Sequence, residues 1–169
     1  MTNTNDPQQP AGPRPSRSSL RLTDDEIWSF VTDAHTAIMT TLRRDGMPIT
    51  LPLWFACVDR TMYTHTRGKK LRRLARDRRA SVLVESGEAW ADLKAVHFTG
   101  IAEIVDLDQQ TLDRVETETA RKYDAFRTPA TDMPPATALH YATTMRWVRF
   151  TPDDRVLTWD NTKIARATR

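Results

Sequence analysis

The residues of this chain best placed for chemistry run from Thr64 to Leu74: Thr64-His65-Thr66-Arg67-Gly68-Lys69-Lys70-Leu71-Arg72-Arg73-Leu74. Hydroxyl side chains lead into a glycine, and a lysine pair then opens an apolar 3.6-residue pattern. Gly68 lets the chain turn closely around a ligand, and a helix that starts there exposes free N–H groups that favour anions. Lys69 and Lys70 supply mobile point charges, and Thr64 and Thr66 supply further donors. Residue types in this order make a phosphate cradle. The competing reading is a solvated basic helix face.

Other signatures are missing. There is no H-E-x-x-H, G-x-S-x-G, P-loop or G-x-G-x-x-G motif. His35, His65, His97 and His140 are scattered without metal-ligand spacing, so no metal site is expected. Cys57 is the single cysteine, which excludes an internal disulfide, and it falls on the apolar side of its strand. No residue stands out as an obligatory catalytic acid or base.

Eight of the residues from Arg67 to Arg79 are basic and one, Asp77, is acidic, although the whole chain carries only +3. An anion is the partner this implies: a phosphate, a nucleic acid or an acidic protein face. Hydrophobic residues at 39% and charged residues at 28% are a soluble globular composition. No apolar run approaches the ~20 residues of a membrane helix, and the N-terminus has no secretory h-region. The cytoplasm is the expected location.

The elements that position these residues read mainly as strands. Residues 1 to 20 are rich in Pro, Asn and Gln and are expected to be a disordered tail. Residues 21 to 169 are expected to be one domain. Thr23-Asp24-Asp25-Glu26 is a capping box for a helix ending near Asp33. A strand over Thr36 to Leu42, a turn at Asp45-Gly46, a strand over Ile49 to Cys57, a turn at Asp59-Arg60 and a strand over Thr61 to Thr66 read as a three-stranded meander. In the second strand Ile49, Leu51, Leu53, Phe55 and Cys57 share one face. Pro52 marks an edge or a break in the ladder, where a ligand can meet backbone N–H groups. Gly68 to Arg76 reads as a short helix, with Leu71, Leu74 and Ala75 inward and its cations outward. Strands follow at Ala80 to Glu85 and at Ala95 to Val105, the latter interrupted by Gly100. A helix from Asp108 to about Phe126 comes next, then a proline-rich loop over Arg127 to Ala136. Thr144 to Phe150 and Arg155 to Trp159 close the sheet. Seven strands with three helices predict an antiparallel barrel with α additions.

Met39-Thr40-Thr41-Leu42 followed by Asp45-Gly46-Met47-Pro48-Ile49-Thr50-Leu51-Pro52-Leu53-Trp54-Phe55 resembles the flavin-binding split-barrel family related to pyridoxamine 5′-phosphate oxidase. Met62-Tyr63-Thr64-His65-Thr66, Lys70-x-x-x-Leu74 and Ser81-Val82-Leu83-Val84 continue the likeness, and Trp159-Asp160 with Lys163 resembles the closing strand of actinobacterial members. The resemblance implies an antiparallel split β-barrel homodimer, with FMN or the deazaflavin F-420 in a groove at the dimer interface. Carried over by position, Lys70 would meet the cofactor phosphate. Thr64, His65 and Thr66 would run beside the ring or ribityl chain, and Thr50, Leu51, Pro52, Leu53 and Trp54 would flank the ring. Trp159 and Lys163 complete the set. The chain ends without the Arg-Leu-x-Pro tail of pyridoxamine phosphate oxidases, which argues against that substrate. The arginines Arg72, Arg73, Arg76, Arg78 and Arg79 exceed what one phosphate needs and would suit the glutamate tail of F-420.

An oxidoreductase that passes hydride to a small molecule is therefore expected, the cofactor doing the chemistry and the protein the positioning. One rival is a non-catalytic carrier of flavin, haem or a tetrapyrrole with the same fold. The other is a nucleic-acid module using residues 67 to 79. The absence of stacking aromatics in that block weighs against it.

Overall fold

The computed structural model describes residues 20–141 and 144–167, so the expected tail lies outside the described residues except for Leu20. Thr23 opens α1 (Asp24–Asp33) as a reciprocal cap. Its hydroxyl accepts from the Glu26 N–H, and the Glu26 carboxylate accepts from the Thr23 N–H at 2.7 Å. β1 (Ala37–Leu42) turns at Gly46, whose φ of 81° a side chain would strain, into β2 (Pro48–Leu53). β3 (Ala56–Val58) turns through Asp59 and Arg60 into β4 (Thr61–Thr66). Then come α2 (Lys69–Arg76), β5 (Arg79–Ser86), β6 (Lys94–Val105), α3 (Gln109–Tyr123), α4 (Pro135–Tyr141), β7 (Arg146–Asp160) and α5 (Thr162–Ala167).

All seven strands lie in one antiparallel sheet ordered β2-β1-β5-β6-β7-β4-β3. The two outermost strands, β2 and β3, are consecutive in the chain, with only Trp54 and Phe55 between them. A sheet whose outer strands are joined by two residues must curl round on itself. The result is a barrel split along one line, between β2 and the β3–β4 hairpin.

The barrel interior follows from strand alternation. Val82, Val84, Val96, Phe98, Val148 and Phe150 point inward and are buried, while Ser81, Thr99 and Thr151 point out. Leu22, Ile27 and Val31 bring α1 to this core, and Leu74 brings α2. Each such side chain contributes roughly 1.5–3 kcal/mol by leaving water. At Gly100 a Cβ would run into the Thr151 carbonyl oxygen, so only glycine allows β6 and β7 to approach where the ladder shifts register.

Several expected elements are redrawn. The strand expected over Ile49 to Cys57 is two strands that pair with different partners, β2 with β1 and β3 with β4. No three-stranded meander forms, because the two hairpins sit at opposite edges of the sheet. The expected inward face of β2 is open at Leu51, which is 43% exposed, because β2 is an edge strand. Alternation breaks where Phe55 and Ala56 are both buried. The ladder does not break at Pro52, which pairs with Ile38; the break comes two residues later. In α2, Ala75 is exposed rather than buried. In the α3 region the helix stops at Tyr123 and Phe126 is left 62% exposed. The proline-rich loop runs into α4, which the prolines had masked. The two closing strands are one continuous strand, β7. No described helix is long and apolar enough to cross a membrane.

Candidate functional site

The split in the barrel is where backbone is left unpaired. β3 pairs only with Thr61, Met62 and Tyr63, so Thr64 to Thr66 extend past it with one edge free. β2 is bonded to β1 alone, so its far edge is free as well. On that edge residues 48, 50 and 52 point their backbone groups outward, since the prolines among them have no N–H to give to β1. Thr50 is therefore the N–H donor that this edge offers to the split. Thr64 and Trp54 bridge the split near its closed end, where the Thr64 hydroxyl donates to the Trp54 carbonyl at 2.8 Å.

Tyr123 holds that junction. Its ring stacks on Trp54 with centroids 4.4 Å apart and planes 6° from parallel. Its buried hydroxyl accepts from the Phe55 N–H at 2.9 Å and faces the carbonyls of His35 and Phe55. Burial pushes its pKa up to about 12. The sequence signal for Tyr123 was its place eight residues after buried Val115, on the same face of α3.

Only Arg67 and Gly68 separate β4 from α2. Gly68 precedes it at φ 67°, with no side-chain cap and open space where a Cβ would lie. The first N–H groups of the helix are thus free to meet an anion. Lys70 is half-buried, and burial, then the charge of Arg73, lowers its pKa. It makes no hydrogen bond or ion pair among the described residues. A cation partly stripped of water beside another cation is a group that an anion would stabilise.

The rest of the basic block is less available than its composition suggested. Arg73 turns inward and donates to the Thr41 hydroxyl at 2.8 Å, and Arg76 donates to the Leu42 carbonyl at 2.7 Å. Arg78 is paired with Glu103 and Arg79 with Asp77. Arg73 and Arg76, two of the helix cations expected to point outward, are therefore tied to the protein itself, and so are Arg78 and Arg79 beyond the helix. Two of these contacts fasten α2 to β1.

A family model described as pyridoxamine 5′-phosphate oxidase matches residues 23–152. The chain belongs to that family. Among solved structures, the conserved hypothetical protein Rv2991 from Mycobacterium tuberculosis is 27% identical, with a TM-score of 0.72, over 89% of this chain and 92% of that one. An FAD-binding protein from Mesorhizobium loti is 18% identical (TM-score 0.62, covering 81% and 94%). The heme storage protein HutZ from Vibrio cholerae is 15% identical (TM-score 0.61, covering 80% and 94%). The latter two share the fold. No curated protein matches the chain.

Within one chain of this family member, Thr50 to Leu53 lie on the β2 edge of the split, Thr64 and Thr66 on the β4 side, Trp54 at the bond between them, and Gly68, Lys69 and Lys70 directly follow β4. His65 faces the other way and stacks on Trp147 at 4.5 Å, where partial burial lowers its pKa. Trp159 lies eleven residues beyond Val148, the partner of Thr64 on β7. Extended strand of that length spans up to about 35 Å. Lys163 is bonded to the Glu26 carboxylate at 2.7 Å and to the Arg21 carbonyl at 2.8 Å. Trp159 thus sits on β7 beside Ala95 of β6, and Lys163 is held against α1, on elements other than β2, β4 and α2.

Proposed function

We propose that the chain binds a phosphate-bearing flavin-type cofactor, FMN or F-420, in the split between β2 and β4, and acts as an oxidoreductase on a small molecule. The observation that carries this reading is the uncapped start of α2 with unpartnered Lys70 beside the two free strand edges. The residues present fit the group. Lys69, Lys70 and the α2 N–H groups suit a phosphate, and half-exposed Leu51 suits the face of a ring that Trp54 flanks at its edge. When bound, the ring supplies hydride transfer. The chain's own residues position it. Thr50 N–H is a donor at the β2 edge, Pro52 and Leu53 exclude water, and Thr64 holds the closed end together.

With Arg73, Arg76, Arg78 and Arg79 engaged, the cations left near the start of α2 match one phosphate better than a polyglutamate tail, which favours FMN. The same accounting removes most of the free basic face that a nucleic-acid module would need. A second copy of the chain is part of the proposal, because the resemblance implies a groove shared by two protomers and Trp159 and Lys163 lie on elements other than β2, β4 and α2.

Titration with FMN and with F-420, read by quenching of tryptophan fluorescence, tests the assignment. A charge-assisted bond to phosphate is worth roughly 1.5–3 kcal/mol, so Lys70→Met should weaken binding about 10- to 150-fold. Arg78→Met removes a charge already held by Glu103 and should leave affinity within about threefold of the parent. Equal losses for both would reduce the block to a diffuse field. Failure of the parent protein to bind either cofactor would end the flavoprotein reading.

A further inference from the structure

Beyond the split, the chain folds a second concavity against Trp54. The segment after α3 leaves the helix at Tyr123, makes a tight turn over Asp124–Phe126 and returns through Met133 and Pro134 into α4. Between this segment and Trp54 lies a cleft of about 400 Å³, lined by Trp54, Phe126, Arg127, Met133, Pro134 and Thr137, among others. The size is that of a small-molecule pocket. One face of the Trp54 ring is occupied by Tyr123, which fixes the plane of the indole; its exposed remainder borders the cleft. Phe126 stands 62% exposed, although nothing in its position on the chain requires it to face water. His35 meets its ring edge-on at 5.1 Å and holds its orientation.

Two aromatic rings, a methionine and a proline make a largely apolar wall. The charge in its wall is Arg127. Among the described residues its one carboxylate contact is with Asp124 at 3.9 Å, the outer limit of an ion pair, with both side chains more than half exposed. That contact is weak enough for a better-placed carboxylate to displace it.

We propose that this cleft binds a planar aromatic carboxylate, its ring between Trp54 and Phe126 and its carboxylate on the Arg127 guanidinium. Trp54 also borders the split, so a molecule held here lies next to whatever the split holds. The assignment of that molecule as substrate rests on the functional reading above; its binding does not.

The probe is 2-naphthoate, followed by calorimetry on protein free of any flavin, with neutral 2-naphthylmethanol as its uncharged counterpart. The Trp54 indole N–H, assigned through Trp54→Phe, is followed by NMR. The naphthoate should bind at one site, shift that resonance and exceed the alcohol in affinity by about 10-fold or more. Arg127→Gln should erase the difference between the two probes, and Phe126→Ala should weaken both alike. Because Phe126 and Arg127 are exposed, neither substitution threatens the fold. Arg44→Gln, an exposed charge in the β1–β2 turn, should change nothing. No saturable binding, no Trp54 shift, or unchanged naphthoate affinity in Arg127→Gln overturns the proposal. In flavin-loaded protein, naphthoate should perturb the visible spectrum of the cofactor. An undisturbed spectrum with naphthoate bound would overturn the substrate role. Loss of the flavoprotein reading shows instead in the FMN and F-420 titrations, which do not involve this probe.

Discussion

At the scale of single residues, Lys122 is the group that physical chemistry singles out. It is 4% exposed, and its Nζ is buried without a hydrogen-bond partner among the described residues. The ammonium lies 3.8 Å over the Phe55 ring. Burial lowers its pKa to about 8, with the Glu118 charge opposing. A lysine whose folded pKa lies below its unfolded value destabilises the fold wherever both states are charged. That penalty is fully present below about pH 8 and fades as pH rises towards 10.5, the value the lowering starts from. At 1.36 kcal/mol per unit it amounts to about 3 kcal/mol, of which the contact with Phe55 returns up to ~2. Lys122→Met keeps the stem and removes the charge, so it should raise the melting temperature at pH 7 by a few degrees. The gap between variant and parent should close by about pH 10.5. A variant less stable than the parent at pH 7, or a gap independent of pH, would show that the ammonium is well accommodated. The sequence concealed this residue because Arg121-Lys122 at a helix C-terminus reads as solvated charge.

At the scale of elements, the junction between β2 and β3 decides whether the split stays open in the right place. Tyr123→Phe keeps the ring that stacks on Trp54 and removes the hydroxyl that satisfies the buried Phe55 N–H. An unsatisfied buried donor costs about 1–3 kcal/mol, so thermal stability should fall by several degrees and the Phe55 amide should exchange faster. Unchanged exchange at Phe55 would mean that the ring stack alone fixes the junction. The junction also shows what could be read in advance. The capping box at Thr23, the Asp-Gly turn, β4 and α2 have local signals, and they stand where those signals put them. Alternation from Ile49 to Cys57 looks continuous, because side-chain period says nothing about which strand is the partner. The change of partner depends on Tyr123, far along the chain. Thr151-Pro152-Asp153-Asp154 reads as a turn between two strands, yet β7 runs through it, since its register shift against β6 absorbs the extra residues. The expected count of seven strands survived only because one strand divided and two fused. The strand–helix turn that carries Thr64, Gly68 and Lys70 was legible because its signals are local. The cleft beside Phe126 was not, because it depends on where the chain goes after α3.

At the scale of the whole molecule, the outward face of the sheet is the surface left unexplained by a single protomer. Ile101, Leu157 and Trp159 project from it, 38%, 60% and 41% exposed. Ile101 also borders a groove of about 920 Å³ lined by Thr40, Ser81, Thr99 and Asp153 on four different strands. Exposed large apolar side chains on one sheet face suit an interaction surface. The proposed second copy would cover this face, and its Trp159 would have a route to the first copy's split. Leu157→Asp tests this with little risk to the protomer, since Leu157 is already the most exposed of the three. The parent should scatter light as a dimer at micromolar concentration, and the variant should run as a monomer with unchanged circular dichroism. If the split is completed across the interface, the variant should also lose cofactor affinity by tenfold or more, although residue 157 pairs with β6 and belongs to neither α2 nor β2. A monomeric parent would remove the second copy from the proposal. A monomeric variant with full affinity would leave the dimer but return the whole site to one chain, with Trp159 and Lys163 outside it.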